Sequence, residues 1–229
     1  MRSALLIRHG QASFGAQDYD RLSLVGEQQA RQLGQWLRQT GQYPDLVVTG
    51  SMRRHQHTAE LCVEAAGVAA PQLTLAQLDE LDHVEIVARH RPDFASFDAM
   101  HAELAASADP ARAFQQLFAA AVARWTGGEH DREYSRSWPA FRERVLRGLQ
   151  ALAAHEARNI WAFTSGGPIA VITQALIGAP AGNPFALSWP LVNTSLTRVA
   201  LGGNRHSLVS YNGWPHLELA GDPRLVTHR

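Results

Sequence analysis

The sequence is poor in cysteine, in net charge and in long apolar runs, and each shortage narrows the class of protein. Its one cysteine, Cys62, cannot form an internal disulfide, which predicts a reducing compartment. The 21 basic residues (lysine and arginine) balance the 21 acidic ones, so no overall charge attracts nucleic acid or an anionic membrane. No apolar run approaches the roughly 18 residues of a membrane span, and the run before Arg8 is too short for a signal peptide. We therefore expect a cytoplasmic protein without nucleic-acid or membrane partners.

The chain does have enough apolar sequence for a sizeable core. Its 229 residues are 45% hydrophobic and 18% charged, which is typical of a folded globular protein. This length suits one large domain, and we expect a single domain over residues 1–229. An alanine-rich stretch at about 82–137, broken at Pro92, Pro110 and Gly127, predicts a helical insertion within that domain.

Short buried strands followed by a turn and a helix recur along the chain. Strands are predicted at 3–7, 46–48 and 160–163, and helices at 24–39, 52–66, 138–156 and 168–177. This repetition predicts an α/β fold, a three-layer αβα sandwich around a mostly parallel sheet. Two more strands, at 195–200 and 207–211, resemble a hairpin and supply an antiparallel edge.

Three strand-to-helix turns carry small or basic residues: Arg8-His9-Gly10, Thr49-Gly50-Ser51-Met52-Arg53-Arg54 and Thr164-Ser165-Gly166-Gly167. Because parallel strands end at one edge of a sheet, where ligands bind, we expect these turns to converge. Arginine offers paired donors to phosphate, a neutral imidazole can attack phosphorus, and helix N-termini favour anions. Taken alone, Arg8-His9-Gly10 would be explained equally well by an arginine and a histidine at the protein surface without a binding role. Together the three turns predict an anion pocket.

Further motifs accompany these turns, in order, from residue 5 to residue 217. They are Leu6-Ile7-Arg8-His9-Gly10-Gln11; Leu22-Ser23 with Gly26, Gln29 and Ala30; Arg54 with Thr58-Ala59-Glu60; Leu78-Asp79-Glu80-Leu81; Asn193-Thr194-Ser195; and Tyr211-Asn212 with His216-Leu217. The set resembles the histidine-phosphatase (phosphoglycerate-mutase-like) superfamily, apart from a variable middle.

The resemblance implies a metal-independent phosphatase, without a cofactor, that acts on a small phosphorylated metabolite. His9 would attack phosphorus and form a phosphohistidine, and Glu80 would protonate the leaving oxygen. The residues that bind phosphate would be Arg8, Arg54, Ser165 and Gly166.

The sequence departs from the family pattern at Ser165, where the family normally has a second histidine before the paired glycines. A serine hydroxyl donates one hydrogen bond and carries no positive charge. Losing one such donor typically costs about 10²–10³-fold in rate, so we expect slow turnover. Ser165→His is then expected to raise kcat, unless His57 or His216 has filled the gap.

Two other functions stay open at this point. Ser165 favours a phosphate-binding or regulatory protein that has lost turnover, but Glu80 disfavours it because binding alone needs no acid. A phosphoglycerate mutase ranks third, since the segment around Glu80 lacks the fuller mutase pattern. The sequence leaves the substrate and the oligomeric state open.

Two further sets of histidines suggest roles outside the main motifs. His55 and His57 are two residues apart on a predicted helix, so they point about 200° apart and do not easily share a metal ion. We expect solvated or supporting roles for them. His216 is expected to make a structural hydrogen bond near the edge of the sheet.

Overall fold

A computed structural model of the chain describes residues 2–13, 20–94, 100, 105–180, 182–203 and 205–228. The strands are β1 (Arg2–Arg8), β2 (Leu46–Thr49), β3 (Gln72–Thr74), β4 (Asn159–Thr164), β5 (Leu196–Leu201) and β6 (His206–Gly213). The helices with described bounds are α1 (Leu24–Gln39), α2 (Arg53–Ala66), α3 (His83–His90), α4 (Pro110–Thr126), α5 (Trp138–Ala154), α6 (Gly166–Leu176), α7 (Phe185–Ser188) and α8 (Pro215–Ala220). Among the described helices, none is long and apolar enough to cross a membrane.

The strands form one mixed sheet, which has six strands in the described part of the chain and the order β3-β2-β4-β1-β5-β6. The first four in this order run parallel to one another. β5 pairs antiparallel with β1, and β6 pairs antiparallel with β5, as the predicted hairpin requires. The mostly parallel sheet with an antiparallel edge is therefore confirmed.

The central strands are buried on both faces. In β1, Leu5 and Ile7 pack in a cluster with α1 and α2, whereas Ala4 and Leu6 pack in a cluster with α5 and α6. Because successive side chains of a strand point to opposite faces, one continuous apolar run serves both layers. Helices thus cover both sides of the sheet, which confirms the three-layer α/β fold. Cys62 is fully buried in the first of these clusters.

Several element boundaries match the sequence patterns closely. The Ser23 side chain accepts a hydrogen bond from the Gly26 N–H at 3.1 Å, which caps α1 where the sequence predicts its start. By contrast, β3, α7 and α8 were not predicted. β3 has only three residues, all of them exposed, so it carries no apolar alternation that a sequence pattern could reveal.

The predicted helical insertion, 82–137, contains α3, α4 and a 3₁₀ turn at Asp131–Glu133. Trp125 at the end of α4 packs edge-on against Trp138 and Phe141 of α5, which anchors this segment to the core. Positions 95–99 and 101–104 of the predicted insertion lie outside the described residues. That it belongs to a single domain over 1–229 stays a prediction.

The pairing register brings four chain segments to one edge of the sheet. Arg8 of β1 lies opposite Thr164 of β4, and Thr49 of β2 lies between Phe163 and Thr74 on its two neighbours. All four parallel strands therefore end at the same level, and the residues that follow them meet there.

Candidate active site

A cavity of about 990 Å³ opens at this edge of the sheet. Five of the six predicted site residues line it: Arg8, His9, Arg54, Glu80 and Gly166. The sixth, Ser165, is fully buried and is not among the lining residues. The convergence of the strand-end turns is thus observed, with Ser165 in a different position from the one expected.

Hydrogen bonds at both its N–H and its carbonyl fix the backbone of His9. Its N–H donates to the Thr164 carbonyl at 2.9 Å, and Asn193 Nδ2 donates to its carbonyl at 3.0 Å. In the side chain, Nδ1 lies 2.7 Å from the Gly10 carbonyl oxygen. A carbonyl can only accept, so Nδ1 carries the proton in this contact. In the neutral ring the other nitrogen, Nε2, then keeps a free lone pair.

The surroundings of His9 also keep its ring neutral. Burial lowers the pKa of His9 well below its usual value, and the positive charges of Arg54 and Arg8 lower it further. A protonated imidazole has no lone pair for attack, whereas the neutral ring does. The fixed tautomer and the lowered pKa together make Nε2 a nucleophile that is ready near neutral pH.

Both predicted arginines are held in place beside His9. The Arg8 guanidinium donates to the carbonyls of Leu191 and His228, the latter at 3.0 Å. Arg54 is 3% exposed, and its Nη1 lies 2.8 Å from Asp20 Oδ1. Two fixed guanidinium groups at one cavity wall provide donors and positive charge for the oxygens of a phosphoryl group.

Gly10 is required by a close approach between the first motif and α1. A Cβ at this position would lie 2.5 Å from the Gly26 carbonyl oxygen, which is closer than any side chain tolerates. The Gly10 N–H donates to Thr58 Oγ1 of α2 at 3.0 Å. The glycines and the threonine of the motifs therefore pack α1 and α2 against the turn that carries His9.

The Glu80 carboxyl rests on the first turn of α6. Its Oε2 accepts from the Gly167 N–H at 3.0 Å, and its Oε1 accepts from the Leu81 N–H at 3.0 Å. A Cβ at position 167 would lie 2.1 Å from Oε1, so only glycine leaves room for the carboxyl. The second of the paired glycines therefore places an acid at the cavity wall.

The chain segment before Glu80 is anchored from two sides. Thr164 Oγ1 donates to the Leu78 carbonyl at 2.6 Å, and Arg144 of α5 donates to the Asp79 carbonyl at 2.6 Å. These contacts tie the segment after β3 to the end of β4 and to α5. They explain how a carboxyl that follows a short edge strand reaches a fixed position in the cavity that His9 also lines.

The two histidines considered as substitutes for the imidazole missing at position 165 lie away from the cavity lining. His57 and His216 are not among the residues that line the cavity. His216 is buried, and its Nε2 lies 2.9 Å from Thr194 Oγ1, which matches the expected structural hydrogen bond. Burial lowers the pKa of His216 to about 3.

His55, for which the sequence left a solvated or a supporting role open, lies on the first turn of α2. Its ring is fully buried, its Nε2 is 2.6 Å from Ser165 Oγ, and its centroid is 5.7 Å from that of His9. The neighbouring His57 drew attention to this segment, but only the fold shows which of the two points inward. Among the described residues no group of histidine, cysteine, aspartate and glutamate has a metal-binding arrangement.

Comparison with known proteins identifies the family. The model of the histidine phosphatase superfamily (branch 1) matches residues 4–213, which is nearly the whole chain. The chain therefore belongs to this superfamily. No curated protein sequence matches the chain significantly.

Solved structures of the same fold include several phosphatases. A mutant phosphoserine phosphatase from Entamoeba histolytica, in complex with phosphoserine, is 17% identical with a TM-score of 0.60 and matches over 95% of this chain and 100% of its own. A mycobacterial glucosyl-3-phosphoglycerate phosphatase is 23% identical with a TM-score of 0.62, over 93% and 99% of the two chains. The alpha-ribazole phosphatase from Shigella flexneri is 21% identical with a TM-score of 0.64, over 92% and 96%.

Proposed function

We propose that the protein is a metal-independent phosphomonoesterase that works through a phosphohistidine on His9. The observation that carries the proposal is the state of His9, whose Nδ1 is bonded to the Gly10 carbonyl and whose Nε2 is left free in a neutral ring. The phosphatases among the similar structures support the activity but are named for three different substrates. From these names we therefore infer only that the substrate is a small phosphate monoester.

The reaction has two steps in this proposal. His9 Nε2 attacks phosphorus, the bond to the leaving oxygen breaks, and a protonated Glu80 gives that oxygen its proton. Water then attacks the phosphohistidine, Glu80 takes the proton from the water, and the bond between phosphorus and nitrogen breaks. Arg8 and Arg54 bind the phosphoryl oxygens, whose negative charge is spread in a loose transition state. The Gly166 backbone at the start of α6 adds a helix N-terminus to the same side.

The outer part of the cavity favours an apolar leaving group. Phe118 of α4 packs edge-on against Trp189, with ring centroids 5.7 Å apart, and both line the cavity with Phe114, Phe185 and Pro190. Such walls are typical of sites that bury the apolar part of a small ligand. We propose that the substrate is a phosphate ester of an aromatic or aliphatic alcohol.

A phosphate-binding protein without turnover is the second candidate, and Ser165 is the observation that favours it. The two candidates separate in an assay with an aryl phosphate and excess chelator. Turnover that continues in the chelator is expected here, because every proposed role belongs to a side chain or backbone group of this protein. Turnover that stops and returns only with a divalent ion would contradict the metal-independent mechanism. No turnover with retained phosphate binding would support the second candidate.

A further inference from the structure

Three polar side chains form a continuous bridge over the turn that carries His9, and the mechanism so far gives them no role. The Gln11 N–H, at one end of the turn, donates to Gln29 Oε1 at 2.8 Å. At the other end, Asn193 Nδ2 donates to the His9 carbonyl at 3.0 Å. Thr227 lies between the two amides, with its Oγ1 2.8 Å from Gln29 Nε2 and 2.9 Å from Asn193 Oδ1. We call Gln29, Thr227 and Asn193 the polar bridge.

The two ends of the polar bridge fix the direction of the hydrogen bonds within it. A backbone N–H only donates, so Gln29 presents its oxygen to Gln11 and its Nε2 to Thr227. A carbonyl only accepts, so Asn193 presents its Nδ2 to His9 and its oxygen to Thr227. The group between the amides must therefore accept one hydrogen bond and donate another. A hydroxyl does both, whereas an apolar side chain does neither.

The polar bridge lies where a missing partner is costly. Gln29 and Asn193 are fully buried, and Thr227 is half-buried at the wall of the cavity. A buried amide that loses a partner is not compensated by water. Because the hydrogen bonds from Gln11 to His9 all run in one direction, each also polarises the next. The Thr227 hydroxyl is thus the link on which the continuity of the bridge depends.

The polar bridge encloses the peptide group that sets the tautomer of His9. The Gly10 carbonyl lies between the two ends of the bridge and accepts from His9 Nδ1 at 2.7 Å. The direction of this carbonyl follows from the backbone of the turn on either side of it. A turn held at both ends therefore keeps the proton on Nδ1 and the lone pair on Nε2.

Building on the proposed phosphatase activity, we propose that Thr227 is a positioning residue for His9. Its hydroxyl acts through the polar bridge and needs no contact with the substrate. Two backbone contacts hold its segment independently of the hydroxyl. The Thr227 carbonyl accepts from the Asn193 N–H at 2.8 Å, and the Leu225 carbonyl accepts from Gln29 Nε2 at 2.7 Å. Removing the hydroxyl should therefore interrupt the bridge without releasing the segment.

Thr227→Val and Thr227→Ser test the hydroxyl, with an aryl phosphate as substrate. Valine has nearly the shape of threonine but breaks the bridge, so kcat should fall about tenfold. The fall is limited because Thr58 and Thr164 also anchor the turn. KM should stay within about twofold, since the phosphate-binding arginines are not part of the bridge. Serine keeps the hydroxyl, and its kcat should stay within about twofold of wild type.

Thr227→Ala separates the hydrogen bonds from packing. Alanine leaves room for a water that rejoins the two amides, so this variant should be more active than Thr227→Val. A packing role predicts the reverse order, because alanine loses more contact than valine. Thr126→Val is the matched control and should keep wild-type kcat. Thr126 is also half-buried, and its hydroxyl donates to the Val122 carbonyl at 2.9 Å, but it does not line the cavity.

The tautomer of His9 gives a second readout that needs no turnover. In nitrogen NMR spectra of the imidazoles, the His9 signals are those absent from His9→Ala. Wild type and Thr227→Ser should show the proton on Nδ1, and Thr227→Val should show a share of it on Nε2. Unchanged His9 signals in Thr227→Val, a wild-type kcat there, or an alanine variant slower than the valine one would overturn the inference. If no variant or wild type turned over while the tautomer shifted as expected, the proposed activity would fail and this role of Thr227 would stand.

Discussion

At the scale of single residues, glycines build this site as much as charged side chains do. Gly167 leaves room for the Glu80 carboxyl, and Gly50 leaves room for the His55 ring. Gly10 allows the turn with His9 to lie against α1. A Cβ at any of these three positions would lie less than 3 Å from an atom of a neighbouring residue. The absence of a Cβ at these three glycines thus leaves the space that the neighbouring groups of the site occupy.

Glu80→Gln tests the assignment of the acid. The amide cannot protonate a leaving oxygen, so the loss in kcat should be large for alkyl phosphates, by about 10²–10⁴-fold. An aryl phosphate with an acidic phenol leaves without that proton and should lose far less. The measurement is kcat across a series of esters with leaving groups of increasing basicity. Equal losses along the series would remove Glu80 from this role.

The sequence alone predicted five of the residues that line the cavity, and the apolar residues of its wall were not among them. Arg8, His9, Arg54 and Glu80 follow strand ends or recognisable motifs, and parallel strands bring such segments together. The buried position of His55 could not be predicted in this way. Its contact with Ser165 joins positions 110 residues apart, and helix spacing does not say which of His55 and His57 points inward.

At the scale of secondary-structure elements, α4 and α7 shape the outer cavity. Phe118 on α4 and Trp189, at the end of α7, form the edge-on pair of its wall. Phe118 lies in the stretch that the sequence marked only as an insertion, whereas Trp189 lies outside it, in a stretch for which the sequence predicted no element. An apolar or aromatic side chain in a helix fits core packing as well as a binding wall, so composition could not separate the two.

Phe118→Ala and Trp189→Ala test the wall. Each should lower kcat/KM for 2-phenylethyl phosphate by about tenfold, because part of the apolar contact with the ester is lost. Hydrolysis of glycerol 3-phosphate, also an alkyl ester, should change little. Tyr43→Ala, at an exposed position away from the cavity, is the control. Equal effects on both esters would contradict an apolar subsite.

The buried strands and the longer helices around the sheet were predictable to within a few residues. Buried runs such as Ile160 to Phe163 in β4 mark strands because both faces are covered, and Ser23 marks the start of α1. The strand β3 and the helices α7 and α8 were missed because they are short. β3 is also exposed, and α7 and α8, with 4 and 6 residues, are too short to show an apolar stripe at helical spacing.

At the scale of the whole molecule, buried histidines make the free energy of unfolding depend on pH. His9, His55 and His216 all have a lowered pKa, with burial as the main cause. In the unfolded chain each imidazole would bind a proton as the pH falls below the ordinary pKa of histidine. Because the folded protein does not bind it there, acidification favours unfolding.

His216 gives the clearest test, since it lies outside the cavity. Its pKa falls from 6.5 to about 3, so its stabilising effect is present above 6.5 and is lost progressively as the pH falls towards 3. Between about pH 7.5 and pH 5, this histidine alone should lower the free energy of unfolding by about 2 kcal/mol. Urea denaturation of His216→Gln should show a correspondingly smaller fall. Identical pH dependence in variant and wild type would contradict this origin.

The central claim, a covalent intermediate on His9, is tested most directly by trapping it. The protein is mixed with an aryl phosphate, quenched without acid, digested at basic pH and mapped by mass spectrometry. The account predicts a phosphoryl group on His9 that is stable in base and lost in acid, with both label and turnover absent in His9→Ala. A label on another residue, or unchanged turnover in His9→Ala, would contradict it.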